Sequence, residues 1–172
     1  INKRIIDSIY NSGINYIITC DNGIAAYDEV AYAKSLGIEV IITDHHEIPY
    51  NETEGKREYI IPPADAVCNP KQPDCEYPYK GLCGGGVAYK LNTCLFEKLH
   101  IYDVVTQDIL LQYAAIATVA DVMELTGENR IIVKEGLKRL SNDGDRTTCG
   151  LKAIKKVNDL MNKQIGTYHI GF

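Results

Sequence analysis

The sequence lacks several features that would place it in a specialised class of protein. No stretch approaches the roughly 18 consecutive apolar residues of a membrane span, so we expect no contact with a membrane. No basic segment followed by an apolar one opens the chain, so we expect no secretory signal. Repeats and low-complexity tracts are also missing. A composition of 45% hydrophobic and 24% charged residues in 172 is typical of a globular protein.

Metal-binding cysteine pairs are missing as well. The six cysteines include no CxxC pair, so their spacing does not support a structural zinc site. Without a secretory signal, they are interpreted as reduced thiols of a cytoplasmic protein.

The chain also lacks an excess of positive charge, since its formal net charge is −5. The distribution is uneven: residues 1–129 hold 9 Lys/Arg against 19 Asp/Glu, and residues 130–172 hold 9 against 4. A basic segment beside an acidic one is compatible with a phosphate-bearing substrate. A solvated helical surface is the commoner explanation of such a charge run.

Hydrophobic periodicity predicts an α/β fold with a parallel sheet flanked by helices and a helix-rich second half. The predicted strands are 15–20, 38–43 and 64–68, and the predicted helices are 2–12, 24–36, 87–99, 107–120, 129–140 and 151–160. The first two strands and the helix between them have the length of a βαβ unit. The polar segment 49–63 is predicted to be a loop.

Acidic and imidazole side chains follow apolar segments at three places. Asp44, His45 and His46 come directly after the second predicted strand, Asp21 follows the first, and Asp121 follows a later apolar stretch. Ligands of parallel α/β sheets gather outside the carboxyl ends of the strands. Carboxylate oxygens with an imidazole suit Mn²⁺ or Mg²⁺. The pattern predicts one divalent-metal cluster. A plain turn at Asp21, a solvated histidine pair and a helix cap at Asp121 are the structural alternatives.

Two further groups of residues are candidate substrate contacts. They are the glycines Gly84, Gly85 and Gly86 before a helical pattern, and the basic positions Arg130, Lys134, Lys138 and Arg139. The glycines could bind phosphate through backbone amides, or they could form a tight helix entry beside a neighbouring backbone. The basic positions could contact a nucleic-acid backbone or only face solvent.

Six segments resemble, in order, the motifs of a known family. They are residues 19–24, Asp44-His45-His46-Glu47-Ile48-Pro49, and residues 65–71, 82–90, 117–125 and 129–137. The second of them is similar to the motif that names the DHH phosphoesterases. The set as a whole is closest to the RecJ-type single-strand-specific exonucleases. Because the matches run in order over nearly the whole chain, the resemblance is specific.

The resemblance implies a role for each matching residue. Asp21, His45 and Asp121 would coordinate metal, Asp44 would support His45 and fix its tautomer, and His46 would face the scissile phosphate. Two Mn²⁺ or Mg²⁺ ions would activate water for an in-line displacement. The expected activity is 5′→3′ release of mononucleotides from single-stranded DNA in repair and recombination. A single-strand-binding protein or a helicase would be a candidate partner.

The chain departs from the family pattern at both ends. The family carries a first Asp-x-Asp-Gly motif, which does not occur here, and continues into a separate substrate-binding domain. We therefore expect residues 1–172 to form one partial DHH domain. We expect this piece to be inactive or very weak when it is tested alone.

Two other functions are compatible with the same residues. The first is a DHH phosphodiesterase for short oligonucleotides or cyclic dinucleotides. The second is a non-catalytic DHH-like scaffold in a replication or repair assembly. A scaffold should have lost metal ligands, whereas Asp21, His45 and Asp121 are all present.

Overall fold

The computed structural model describes residues 1–142 and 146–171. The chain divides into two compact units, one from Ile1 to Lys80 and one that begins at Gly81. The described strands all belong to the first unit, and the described elements of the second are helices. The predicted α/β class with a helix-rich second half is confirmed.

The first unit is built on a parallel sheet. Its elements are α1 (Lys3–Asn11), β1 (Tyr16–Cys20), α2 (Tyr27–Ser35), β2 (Glu39–Thr43), β3 (Tyr50–Thr53), β4 (Lys56–Tyr59) and β5 (Ala66–Cys68). The sheet order is β1-β2-β5. Thr43 is level with Cys20 on one side and with Cys68 on the other. The three strands therefore end at the same edge.

The hydrophobic pattern explains why β2 is the central strand. Val40 and Ile42 are fully buried, as expected of a strand between two parallel neighbours. Strand β1 alternates instead, with Ile17 and Thr19 buried and its other residues exposed. The core of the unit also includes Ile6 of α1, Val30 and Ala33 of α2, and Ile38. Complete burial of one such aliphatic side chain contributes about 1.5–3 kcal/mol.

The segment predicted to be a loop at 49–63 contains an antiparallel hairpin, so that prediction was wrong. Strands β3 and β4 pair from Tyr50↔Tyr59 to Thr53↔Lys56. Glu54 and Gly55 connect them with positive φ angles of 53° and 76°, as a two-residue hairpin turn requires. All eight strand residues are exposed. The alternation of apolar and polar residues that marks a half-buried strand is therefore missing from this sequence.

The second unit consists of helices. They are α3 (Gly84–Lys98), α4 (Val104–Ala120), α5 (Gly127–Ser141), α6 (Cys149–Val157) and α7 (Tyr168–Gly171). Helix α4 packs against α3, α5 and α7. The first four helices match predicted ones, with boundaries that differ by up to three residues, and α7 was not predicted. None of the described helices has the length and apolarity that a membrane crossing requires.

A partly buried ion-pair network joins helices of the second unit. Asp108 of α4 is 8% exposed and accepts hydrogen bonds from Arg139 Nε at 2.6 Å and Arg146 Nη1 at 2.7 Å. Burial opposes ionisation of Asp108, but the two guanidinium groups outweigh it and lower the pKa of this carboxyl. The buried Lys155 of α6 donates to the carbonyl of Leu140 at 2.8 Å, near the end of α5.

Candidate metal centre

The parallel strands place three polar residues at one edge of the sheet. Asp21 follows β1, Asp44 follows β2 and Asn69 follows β5. The ladder continues one step past the strands, because the Asp21 amide donates to the Thr43 carbonyl at 3.0 Å. The Asp44 amide donates in the same way to Cys68, also at 3.0 Å. The backbone therefore fixes the starting point of each polar side chain.

Three of the predicted site residues come together at this edge. His45 Nε2 lies 3.0 Å from Asp21 Oδ1. Ligand atoms of Asp21, His45 and His46 all lie within 4.8 Å of one another. The His45 side chain is 8% exposed, whereas Asp21 is 51% exposed and His46 59% exposed. The cluster therefore has one buried imidazole and two donors that solvent can reach.

The turn after β1 is tightly constrained. Asp21 has a φ of 60°, in the left-handed region that few non-glycine residues occupy. Gly23 has a φ of 115°, and a Cβ there would lie 2.9 Å from Thr19 Oγ1 and 3.2 Å from Ile42 Cγ2. The turn interpretation is thus correct as geometry. It does not compete with the metal interpretation, because the same turn aims Asp21 at His45.

Asp44 is the buried acid behind the cluster, with 1% exposure. One carboxylate oxygen accepts from the Ile24 amide at 2.9 Å. The other accepts from the His45 amide at 2.8 Å, the His46 amide at 3.2 Å and His46 Nδ1 at 2.7 Å. Burial raises the pKa of Asp44, but these hydrogen bonds outweigh it and hold the pKa below its ordinary value.

The ring contact of Asp44 differs from the one that the resemblance implied. Asp44 was expected to fix the tautomer of His45, whereas its carboxylate bonds to the ring of His46 and holds His45 through the backbone amide. A carboxylate with a lowered pKa is ionised and can only accept. His46 Nδ1 must therefore donate, which makes Nε2 the ring atom on the far side from Asp44.

Asn69 is a positioning residue that the sequence analysis missed. It is 3% exposed, and its Nδ2 donates to the carbonyl of His46 at 3.0 Å. Its Oδ1 accepts from the Lys71 amide at 2.8 Å. Asn69 ties the end of β5 to the backbone of the histidine pair. Its position just after a predicted strand at the same edge was the signal that could have identified it.

Asp121 belongs to the second unit, where it is the C-cap of α4. A negative charge at a helix C-terminus is disfavoured by the helix dipole, so helix capping alone does not explain the acid. The next residue, Val122, has a φ of 54° and is 89% exposed. The Met123 amide donates to the Thr118 carbonyl at 3.2 Å, which closes the helix in a Schellman arrangement. A role for Asp121 as a metal ligand stays a prediction.

The candidate substrate contacts also lie in the second unit. Gly84, Gly85 and Gly86 form the first turn of α3, which Cys83 caps by accepting from the Gly86 amide at 3.2 Å. A Cβ on Gly85 would lie 2.5 Å from Ala117 Cβ of α4. The packing of α3 on α4 thus accounts for Gly85, and phosphate binding by the three glycines stays a prediction. Arg130 is exposed on α5.

The family model described as the N-terminal domain of the DHH family matches residues 1–118. The chain belongs to the DHH family. The cluster of Asp21, His45 and His46 lies within the matched region.

Relatives of the DHH chain include single-stranded-DNA-specific exonucleases. The RecJ protein of Bacillus subtilis is 43% identical over 157 residues, which cover 91% of this chain and 18% of that protein. The RecJ protein of Escherichia coli is 33% identical over 181 residues, which cover 100% of this chain and 29% of that protein. The chain therefore spans less than a third of the length of these relatives.

Solved structures of RecJ proteins have the same fold. A crystal structure of exonuclease RecJ bound to manganese matches with a TM-score of 0.74 and 29% identity, over 100% of this chain and 39% of that one. RecJ from Thermus thermophilus in complex with Mn²⁺ matches with a TM-score of 0.72 and 28% identity, over 98% of this chain and 23% of that one. Both of these structural relatives hold Mn²⁺.

Proposed function

We propose that the DHH chain carries part of the metal centre of an exonuclease that hydrolyses single-stranded DNA from its 5′ end. The observation that carries this proposal is the cluster of Asp21, His45 and His46, whose ligand atoms lie within 4.8 Å of one another. The names of the relatives support the substrate class. The proposal extends to the role of the whole enzyme in DNA repair and recombination.

The donor set fits a divalent ion. Asp21 supplies a hard carboxylate oxygen and His45 an imidazole nitrogen, a combination that suits Mn²⁺ and tolerates Mg²⁺. Such ions, two in the intact enzyme, would polarise the phosphodiester and lower the pKa of water.

The surrounding residues of the chain hold these donors in place. Burial of His45 excludes water from its side of the cluster, and the turn at Gly23 fixes Asp21 opposite it. Asp44 orients the exposed ring of His46 through Nδ1. We infer that His46 Nε2 meets the scissile phosphate.

Other parts of the proposal concern residues outside this edge of the sheet. Asp121 is a predicted ligand, and Gly84–Gly86 with Arg130 are predicted substrate contacts. A helicase or a single-strand-binding protein is a predicted partner. We expect residues 1–172 alone to be inactive or very weak, because they lack the Asp-x-Asp-Gly motif whose carboxylates the resemblance implies in the metal site.

The test measures Mn²⁺-dependent release of mononucleotides from end-labelled single-stranded DNA. It compares residues 1–172 with a longer polypeptide that also carries the Asp-x-Asp-Gly motif. In the longer polypeptide, Asp21→Asn should abolish release, and Asp74→Asn, the same change in a loop acid, should not. An inactive longer polypeptide would overturn the nuclease proposal, and full activity of its Asp21→Asn variant would overturn the assignment of Asp21 to the metal centre. Exclusive cleavage of dinucleotides would favour the short-oligonucleotide phosphodiesterase instead.

A further inference from the structure

A cavity of about 720 Å³ lies along α5 in the second unit. Three basic residues of one helical face line it, namely Arg130, Lys134 and Lys138. They are spaced four residues apart, so they follow one another along the helix. With a rise of about 1.5 Å per residue, the row has a cation about every 6 Å and spans about 12 Å.

Other basic residues nearby form ion pairs with acidic side chains. Lys90 bonds to Glu128, and Arg139 and Arg146 both bond to Asp108. In residues 1–142 and 146–171 the structure gives no ion pair to Arg130, Lys134 or Lys138.

Glu135 is the acid that the charges of this row affect. Glu135 bonds first to Arg139, at 2.9 Å, and this bond, followed by the charges of Lys138 and Lys134, lowers the pKa of Glu135. Glu135 does not line the cavity, and neither does any other acid among the described residues. The cavity wall therefore carries positive charge that no carboxylate facing it neutralises.

The lining of the cavity also includes apolar side chains. They belong to Val133 and Leu137 of α5, to Leu125 and to the buried Ile165. Gln164 and Thr167 add polar side chains to the lining. A row of cations together with apolar side chains matches a strand whose anionic phosphates and apolar sugar edges follow one direction. A compact dianion would engage only part of a row about 12 Å long.

We propose that this cavity binds the backbone of single-stranded nucleic acid, as a contact separate from the metal centre. The inference rests on the proposed function, because an enzyme that degrades a strand must also bind nucleotides beyond the one that it cleaves. The described lining holds no aromatic side chain on which a base could stack. Binding is therefore electrostatic, independent of sequence and sensitive to salt.

The test measures binding without cleavage. Fluorescence anisotropy with labelled oligothymidylate in EDTA compares the parent chain with Lys134→Gln/Lys138→Gln. The matched control is Lys152→Gln/Lys156→Gln, which removes the same charge from α6. The Lys134→Gln/Lys138→Gln variant, called the groove variant below, should lose about 3- to 10-fold in affinity for oligothymidylate. Its slope of log K against log salt should fall by about 0.7 for each cation removed, whereas the control should keep the parent slope.

Each outcome decides the proposal separately from the nuclease assignment. Retained affinity in Lys134→Arg/Lys138→Arg would support electrostatic contact and would show that the loss in the glutamine variant is not misfolding. Equal slopes in the groove variant and the parent would overturn the cavity proposal even if the longer polypeptide digests DNA. Equal loss in the α6 control would overturn it too. Oligoglutamate binding as tightly as oligothymidylate would reassign the cavity to an acidic protein segment.

Discussion

The buried carboxylate of Asp44 holds the exposed imidazole of His46 at 2.7 Å, from Oδ1 to Nδ1. Asp44 is 1% exposed and the His46 side chain is 59% exposed. An anchored acid thus controls the orientation of a ring that solvent can reach. The same carboxylate also holds the backbone of the histidine pair, so one buried group positions both imidazoles.

We predict that Asp44→Asn weakens Mn²⁺ binding without removing a ligand. An asparagine has one acceptor oxygen, so its NH2 group would face either the Ile24 amide or the three donors of the histidine pair, and both imidazoles lose their fixed orientation. Loss of such a supporting group typically costs about 10- to 100-fold in metal affinity. Isothermal titration with Mn²⁺ measures the effect, with Asp74→Asn as the control. Equal affinities of Asp44→Asn and the parent would show that Asp44 does not position the ligands.

The Asp108 network predicts a stability change with a defined pH dependence. The pKa of Asp108 is lowered in the fold, so its contribution is fully present above the ordinary value of 3.8. That contribution is lost as the pH falls below 3.8 toward the folded-state pKa. At neutral pH, Asp108→Asn should lower the free energy of unfolding by about 1–3 kcal/mol, since two guanidinium groups lose their acceptor.

Thermal unfolding followed by circular dichroism measures this dependence. The gap in Tm between the parent chain and Asp108→Asn should shrink in acid. A gap that stays constant on both sides of pH 3.8 would contradict a charged network at Asp108.

The contact between Gly85 and Ala117 predicts a compensating pair of mutations. Gly85→Ala should lower the free energy of unfolding by about 1–3 kcal/mol, because the new methyl would lie 2.5 Å from Ala117 Cβ. Adding Ala117→Gly removes the opposing methyl and should restore part of the lost free energy of unfolding. The recovery is incomplete, because a glycine inside a helix itself costs about 1 kcal/mol. Additive losses in the double variant, measured by urea unfolding, would exclude the close approach of α3 and α4.

The backbone at Val122 predicts a stabilising substitution. A branched residue with a φ of 54° is strained by about 1–2 kcal/mol, whereas glycine adopts this conformation freely. Val122 is 89% exposed, so its replacement sacrifices little packing. Glycine also raises the entropy of the unfolded chain, so Val122→Gly should raise the free energy of unfolding by only about 0.5–1 kcal/mol. Val122→Ala serves as the control, because it shortens the side chain but keeps a Cβ; an equal gain there would mean that backbone strain is not the cause.

The sheet and most of the helices could be predicted because each has its own hydrophobic signal. The apolar run at β2 indicates a strand buried on both faces, and the observed strands at 16–20, 39–43 and 66–68 fall inside the predicted ones. The hairpin of β3 and β4 could not be predicted, since all its strand residues are exposed and their sequence lacks the alternation of apolar and polar residues that marks a half-buried strand. The division at Gly81 was not among the predictions, although Pro70, Pro73 and Pro78 give the segment before it an irregular composition.

The candidate site was predictable in position but not in detail. The ends of parallel strands meet at one edge, so Asp21, His45 and His46 could be expected together. Which ring Asp44 holds depends on the backbone path after Thr43, and no periodicity encodes that path. Asn69 was overlooked for a similar reason, because its contact with the His46 carbonyl joins segments 23 positions apart in the chain.

Gly23 has a consequence for how mutations would be tolerated across this chain. It supplies no ligand, yet any side chain there would meet Thr19 and Ile42 and displace the turn. That turn carries Asp21 on one side and, on the other, the Ile24 amide that bonds to Asp44. In a saturation screen for activity, Gly23 should therefore tolerate as few replacements as the ligands themselves. In a screen for abundance alone, replacements at Gly23 should lower the amount of protein, whereas replacements of an exposed predicted ligand such as Asp21 should not.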